Sequence, residues 1–566
     1  MNAVLLLLVP AAPLLLACSG VIGAARLRRL TPWTAVPGLM VALLLPEGTL
    51  ASYPWLLLGL ELQLDAIGRS FLLLTAGLWG AAGLYALGYL RKDAHAGRFH
   101  LWFLLAMSGN LGLVLAADAV GFYLFFSLMS LASYGLVIHA GGAEVMRAGR
   151  IYLILAVLGE ILLLAGLLFA VFSAGGTHFS LLAATPLEVV PAALLILGLG
   201  IKAGLIPLHV WLPLAHPAAP TPASAVLSGA MIKAGLLGWL RLLDPTAAGW
   251  PELGAGLLIL GLAGAFFAAA IGVLQQRPKT VLAYSSISQM GIMASALGLA
   301  LLLPGQASPL LAAVVLYSLH HGFAKGALFL GVGIAERHRG PWVMAILALP
   351  GLALCGLPWT SGALAKSALK AGLQEAPPAW VGPVETLLTA TAVGTTLLVA
   401  RLLWLIGATS PGVGRPIPWQ MLGPWLALSS IALLLPWLWP GTADMAWSLM
   451  WPLAAGLLLA AIALIWRRGA PIRVPEGDLL IPVEALMLGL ARRVRATPWL
   501  WRAAGEGPLR ARARLLWRHA GRGAASLEKG LGRWESIGTL FMVLVLVVFL
   551  LLFADGAAAT CHRAAP

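Results

Sequence analysis

The sequence predicts an all-α, polytopic integral membrane protein with about 16 transmembrane helices. Of its 566 residues, 60% are hydrophobic and only 10% charged, where soluble domains carry about 25% charge. Apolar stretches long enough to cross a bilayer recur along most of the chain. The remaining charges fall mainly in short connections, with a consistent sign bias between the two sides. The formal net charge of +15 therefore reads as membrane topology rather than as a nucleic-acid surface. Cys18, Cys355 and Cys561 lie far apart with no CxxC pair, which argues against iron–sulfur, zinc or disulfide frameworks.

In order, the predicted spans cover about 3–20, 33–50, 70–89, 100–117, 119–140, 151–174, 190–213, 221–242, 254–275, 281–302, 309–334, 342–373, 383–406, 421–437, 445–466 and 536–554. The first is a retained helix, since few charges precede it and no convincing cleavage site follows. The seventh contains Pro207 and the twelfth Gly356, Pro358 and Gly362, so both are expected to be broken helices. These two run in opposite directions, which suggests two inverted five-helix repeats. The organisation expected is 1–99 as N-terminal helices, 100–242 and 254–406 as the two repeats, and 421–466 as extra spans. An amphipathic basic segment (467–535) and a C-terminal anchor (536–554) would follow.

The basic segment holds 14 Lys/Arg against 6 Asp/Glu between Arg467 and Glu535. Its apolar stripe (Val483, Met487, Leu490, Val494) and basic stripe (Arg510, Arg514, Arg518, Arg522) suit helices lying along the cytoplasmic interface or strapping a neighbouring subunit. With the N-terminus outside, odd-numbered helices exit into loops carrying Arg26, Arg28, Arg29, Arg91, Lys92, Arg98, Arg147, Arg150, Arg277, Lys279, Arg337 and Arg339. The opposite loops carry Glu47, Glu61, Asp65, Glu188 and Glu252. That pattern places a multi-pass protein in a bacterial-type plasma membrane with its basic loops cytoplasmic.

Few ionisable groups remain inside the spans. Glu160, Lys202, Lys233 and His321 each lie roughly 14–18 Å from the start of their helix at about 1.5 Å per residue, near the midplane of a core about 30 Å thick. A lysine at a helix centre costs roughly 2.5–3.5 kcal/mol, so several of them point to function rather than packing. Burial disfavours the lysine cation and an approaching carboxylate restores it, a combination that can load and unload a proton. His321 and Lys325 share a helix face, four residues apart. Lys366 follows the Pro358 break. Lys370 and Arg401, near helix ends, read as snorkelling side chains. Ser228, Ser285, Ser286, Ser288 and Gln289 read first as helix-packing residues and second as water-lining ones.

The stretch IKAGLIPLHVWLPLAHPAAPTPASAVLSGAMIKAGLLGWLR (Ile201–Arg241) resembles the signature of antiporter-like subunits of respiratory complex I, Mrp-type sodium/proton antiporters and membrane-bound hydrogenases. RPKTVLAYSSISQMGIM (Arg277–Met293), LHHGFAKGALFL (Leu319–Leu330) and GLPWTSGALAKS (Gly356–Ser367) are similar to further motifs of that superfamily. The resemblance runs from about Leu64 to Arg401. It implies a proton pathway through Glu160, Lys202, Lys233, His321, Lys325 and Lys366, with His209, Pro207, Pro358 and Asp65 in support. Two positions depart from the family pattern. Ser127 stands where a helix-five glutamate is usual, which makes Glu160 the expected sole counter-ion of Lys202, and Leu214 replaces an aspartate.

The function implied is proton or sodium/proton translocation within a multi-subunit complex I-like, hydrogenase-like or Mrp-like assembly, with other membrane subunits and the lipid bilayer as partners. No flavin, iron–sulfur, nucleotide or metal motif is present in the sequence, so no cofactor and no catalytic centre are expected here. The alternatives are a non-pumping anchor or proton-supply module for a soluble catalytic partner, for example in inorganic carbon uptake, and a self-sufficient sodium/proton exchanger.

Overall fold

The computed structural model describes residues 2–19, 24–243, 245, 250–374, 378–408, 414–438, 450–465, 474–477 and 479. The expected C-terminal anchor, and all of the expected amphipathic segment except 474–477 and 479, lie outside these residues. The chain divides into two units. The first comprises Met1–Tyr53 and Leu60–Gly477, and the second Pro54–Gly59 and Asp478–Pro566. In the second unit, Leu57 and Leu58 adopt positive φ ahead of Gly59.

The first unit is built of α1 (Asn2–Cys18), α2 (Ala24–Leu30), α3 (Val36–Leu44), β1 (Thr49–Tyr53), β2 (Leu60–Leu64), α4 (Ala66–Tyr89), α5 (Ala96–Leu115), α6 (Ala119–Val137), α7 (Ala143–Ala174), α8 (Phe179–Ala184), α9 (Val189–Ala203), α10 (Trp211–Ala218), α11 (Thr221–Val226), α12 (Lys233–Leu242), α13 (Pro251–Val273), α14 (Pro278–Leu302), α15 (Ala307–Ala335), α16 (Pro341–Cys355), α17 (Ser361–Gln374), α18 (Pro378–Ala408), α19 (Trp419–Leu434) and α20 (Met450–Ile465). Ten of the described helical segments, with α11 to α12 taken as one, are long and apolar enough to cross a membrane.

The all-α expectation needs one correction. Thr49–Tyr53 and Leu60–Leu64 pair as an antiparallel hairpin. Leu60, Leu62 and Leu64 are buried while Glu61 and Gln63 alternate with them, the period-two pattern of a half-buried strand. The hairpin, a 3-10 turn at Thr31–Ala35 and the nine-residue α3 replace the single span expected over 33–50.

Helix starts follow local chemistry. Asp65 caps α4 by accepting from the Gly68 amide, and Asp118 caps α6 by accepting from Gly121, each relieving an unpaired amide of the first turn. Both expected breaks are present, and they close alike. α9 ends at Gly204 (φ +77°) with the Leu205 amide on Gly200 O, and α16 ends at Gly356 (φ +93°) with the Leu357 amide on Leu352 O. This is a left-handed C-cap that glycine adopts without Cβ strain. Each cap is followed by Pro207 or Pro358, which cannot donate to a continuing helix.

α11 to α12, α14 and most of α15 are enclosed by other helices, whereas α7 leaves Ile154, Ile161, Leu168 and Phe172 exposed. Of the enclosed helices, α12 carries Lys233 and α15 carries His320, His321 and Lys325.

At one end of α14, Glu476 of the short segment Val474–Gly477 accepts from Thr280 (2.9 Å) and pairs with Arg277 (3.4 Å). Burial raises the Glu476 carboxyl above its ordinary value, against the opposing pull of Thr280 and Arg277. A group whose docked form holds its proton more tightly strengthens docking as pH falls. Hydrogen exchange at the Val474, Glu476 and Gly477 amides, corrected for intrinsic pH dependence, is therefore expected to slow as pH drops from above the raised carboxyl value toward the usual carboxylate range. Protection that stays flat across that window would contradict it.

Candidate functional site

Lys202 occupies the last turn of α9, not the middle of a continuous helix, and is 5% exposed. What makes it tolerable is the break beside it. Its ammonium donates to Ser130 Oγ (3.0 Å) and Tyr152 OH (3.2 Å), and the Tyr152 hydroxyl donates onward to Ser130 O (2.8 Å). The rings of Phe126, Tyr152 and Trp211 lie 5.5–5.9 Å from the cation, within the range at which aromatic faces attract it. Trp211, from the second half of the broken helix, donates to Ile201 O (2.8 Å), taking up a carbonyl at the helix end.

Glu160 on α7 is near enough to act electrostatically on Lys202, but the two form no ion pair within 4.0 Å. The approach of α7 to α9 depends on two glycines. A Cβ on Gly198 would lie 2.7 Å from Leu163 N and 2.9 Å from Gly159 O, a backbone contact that no side chain fits. Ser127 stands beside Glu160, yet Ser127 Oγ and Glu160 Oε1 are both buried without a hydrogen bond of good geometry. Next to Lys202 is a cavity of about 10 Å³ lined by Ser130, Tyr152 and Trp211 among others, close to the room one water centre needs.

Lys233 starts α12 directly after a π-helical turn at Leu227–Met231. Its ammonium reaches back to Ser228 O (2.7 Å). Such a bulge frees a carbonyl within a helix and is frequent at functional sites. Ser228 Oγ shares a 2.6 Å hydrogen bond with Ser286 Oγ, Ser286 donates to Leu282 O (3.0 Å), and Lys325 donates to the same carbonyl (2.9 Å). Two fully buried lysines on α12 and α15 thus bracket a pair of serine hydroxyls, each lysine resting on a main-chain carbonyl, Ser228 O or Leu282 O, that only accepts. His321 is buried with neither ring nitrogen hydrogen-bonded, facing Lys233, Lys325 and His320.

Lys366, partly exposed on α17, donates to Leu354 O (3.0 Å) and Cys355 O (2.7 Å), the carbonyls that end α16. A cavity of about 30 Å³ lies against it, lined in part by Tyr317, Thr389 and Thr391. Tyr317 donates to Gln289 Oε1 (2.8 Å), whose amide donates to Thr395 (2.9 Å).

The structure gathers the expected residues into three stations: Glu160/Lys202, Lys233/His321/Lys325 and Lys366. His209 is fully buried in the first break, edge-on to Phe267 and Tyr284, while Pro207 and Pro358 mark the two breaks. Asp65 is not brought to this row. It caps α4 and pairs with Arg241 at 3.2 Å. Ser130, Tyr152, Trp211, Tyr317 and Ser361 join the site without a sequence expectation behind them, and Ser228 and Ser286, expected first as packing residues, lie beside the lysines. One signal was available: a serine precedes Lys233 and Lys366 by five residues in each case, at Ser228 and Ser361. Amines, imidazoles and hydroxyls of this kind can pass a proton where water or a further hydroxyl bridges them, since the main-chain carbonyls that hold Lys233, Lys325 and Lys366 only accept.

Residues 116–389 match the family described as NADH:quinone oxidoreductase/Mrp antiporter, TM. NADH-quinone oxidoreductase subunit N of Desulforudis audaxviator is 30% identical over 400 residues, covering 64% of this chain and 76% of that one. The chain belongs to this antiporter family. An uncharacterized protein of Mycobacterium tuberculosis is 33% identical over 375 residues, covering 60% of this chain. The chain spans 57% of that relative's own length. In fold, this antiporter-family member is similar to a chain of the Mrp complex from Dietzia sp. DQ12-45-1b, with a TM-score of 0.65, 24% identity, and coverage of 99% of this chain and 62% of that one. It is a multi-pass membrane protein.

Proposed function

We propose that this chain translocates protons, or protons against sodium, as a membrane subunit of a complex I-like, Mrp-like or hydrogenase-like assembly. The observation that carries this reading is the pair of fully buried lysines, Lys233 and Lys325, held on either side of the Ser228–Ser286 hydroxyl pair. Lysines deep in a membrane domain are costly, and a structural role would not call for two of them beside one hydroxyl pair. The proposed route runs from Glu160 and Lys202 to Lys233, then to His321 and Lys325, then to Lys366, with His209, Pro207, Pro358 and Ser127 shaping it.

The paired organisation at 100–242 and 254–406 is supported by the shared closure of the two helix breaks. The loop charges support an N-terminus outside a bacterial plasma membrane, with the basic loops cytoplasmic. Redox chemistry, where the assembly performs it, belongs to partner subunits.

The test is proton movement, followed with a pH-sensitive dye, in vesicles from cells expressing the whole gene cluster, with and without sodium. Lys233→Met is expected to lower it about 100-fold, the low end for losing a positioned proton-transfer group, at unchanged assembly. Wild-type movement in that variant would favour the non-pumping anchor instead.

A further inference from the structure

His320 is fully buried on α15 beside His321, and the route above does not use it. Its Nδ1 lies 2.7 Å from Ser361 Oγ, on the first turn of α17. Ser361 Oγ in turn donates to Ala432 O. A carbonyl oxygen only accepts, so the single hydroxyl proton of Ser361 is committed to Ala432, and Ser361 Oγ can meet Nδ1 only as an acceptor. Nδ1 therefore carries the ring proton in neutral His320. That leaves Nε2 as a bare lone pair, buried and with no hydrogen-bond partner. Leaving an acceptor unsatisfied in a low-dielectric interior costs about 1–3 kcal/mol, so its retention calls for an explanation.

The surroundings supply one. Lys366 and Lys233 are the two cations that act on His320, one from the last station and one from the central station. The start of α17 is fitted to the ring. A Cβ on Gly362 would lie 3.0 Å from His320 Cε1 and far inside contact distance of Ala353 O, so glycine lets α17 close over the imidazole. The same helix carries Ser361, which fixes the tautomer, and Lys366, which waits beyond the break.

We propose that His320 is the relay that hands protons from the Lys233/Lys325 station to Lys366, and that Ser361 is the positioning residue that keeps Nε2 open for the transfer. This rests on the proton-translocation reading above. One N–H bond forms at Nε2 as an N–H or O–H bond of the incoming donor or water breaks. The same Nε2–H bond then breaks as the neutral Lys366 amine, directly or through water, takes the proton. Nδ1 keeps its proton throughout, and the ring returns to its starting tautomer with no other bond changed.

The test uses the intact assembly in vesicles. His320→Gln, which can still hydrogen-bond Ser361 but cannot carry the proton, is expected to lower proton movement about 100-fold, as Lys366→Met does. Nitrogen-15 NMR of the histidine-labelled assembly, with His320→Gln identifying the signal, is expected to show His320 as the Nδ1–H tautomer. Ser361→Ala should convert that signal to a tautomer mixture and change the pH profile of transport, and Ser361→Thr should restore both. Wild-type transport in His320→Gln alongside a dead Lys366→Met overturns the relay and leaves the pathway reading standing. Wild-type transport in both variants removes the pathway and the relay together. An Nε2–H tautomer in the wild-type assembly overturns the relay whether or not the variants fold.

Discussion

Replacing Glu160 by glutamine is expected to cut proton movement about 100-fold, and adding Ser127→Glu to that variant to restore a large part of it. The reason is local. Glu160 is near enough to act electrostatically on Lys202, and Ser127 stands beside it on α6. Phe126 and Ser130, which flank Ser127, both line the Lys202 cavity. A carboxylate at either position can therefore approach the same ammonium. Losing one partner of a buried pair leaves an uncompensated charge, commonly a cost of about 3–5 kcal/mol, and a lysine escapes it by giving up the proton it is meant to exchange. Dye-monitored transport on the single and double variants settles the point. Unchanged transport in Glu160→Gln, or a double variant as inactive as the single one, would mean that Glu160 has not become the counter-ion of Lys202.

The second large effect is expected at the central station. Lys325→Met should lower transport about 100-fold. Ser286→Ala should lower it about tenfold, since an ordered water can replace a lost hydroxyl bridge at nearly equal enthalpy. The order of the two effects is the informative result. Ser286 touches no charged group directly, being held between Ser228 Oγ and Leu282 O. A packing serine would tolerate alanine with no loss of transport. The comparison requires equal amounts of assembled complex, read by immunoblot of native gels.

Much of this architecture was legible in the sequence because membrane constraints are severe. Pro207, Gly356, Pro358 and Gly362 announced the helix breaks, and isolated lysines in apolar helices announced the stations, since neither is cheap in a bilayer. The hairpin was legible too, in the alternation of Leu60, Glu61, Leu62, Gln63 and Leu64, but five residues beside long apolar helices make a faint signal. What the sequence concealed was where the lysines end up. Lys202 looks mid-span when counted from its helix start, yet sits at a helix end because the chain stops being helical at Gly204. The partners of each lysine come from other helices: Ser130 and Tyr152 for Lys202, and Leu282 for Lys325. Such contacts have no local sequence signature. Asp65 enters the expectation only as a supporting residue implied by the resemblance, at the start of a helix. It serves as a cap and as the partner of Arg241, which is a matter of helix ends rather than of the interior.

Among the described residues, Lys366 holds its cation against the terminal carbonyls of α16 and not against an acidic side chain. The two ends of the route thus differ in how they tolerate genetic change. At the first station of the proposed route the compensating charge is a side chain, which a single substitution can delete. At the last station the compensation is written into the main chain. No exchange of a single side chain removes it, short of one that refolds the turn at Gly356. On the proposed route, single side-chain substitutions are therefore expected to disturb charge compensation more readily at Glu160/Lys202 than at Lys366.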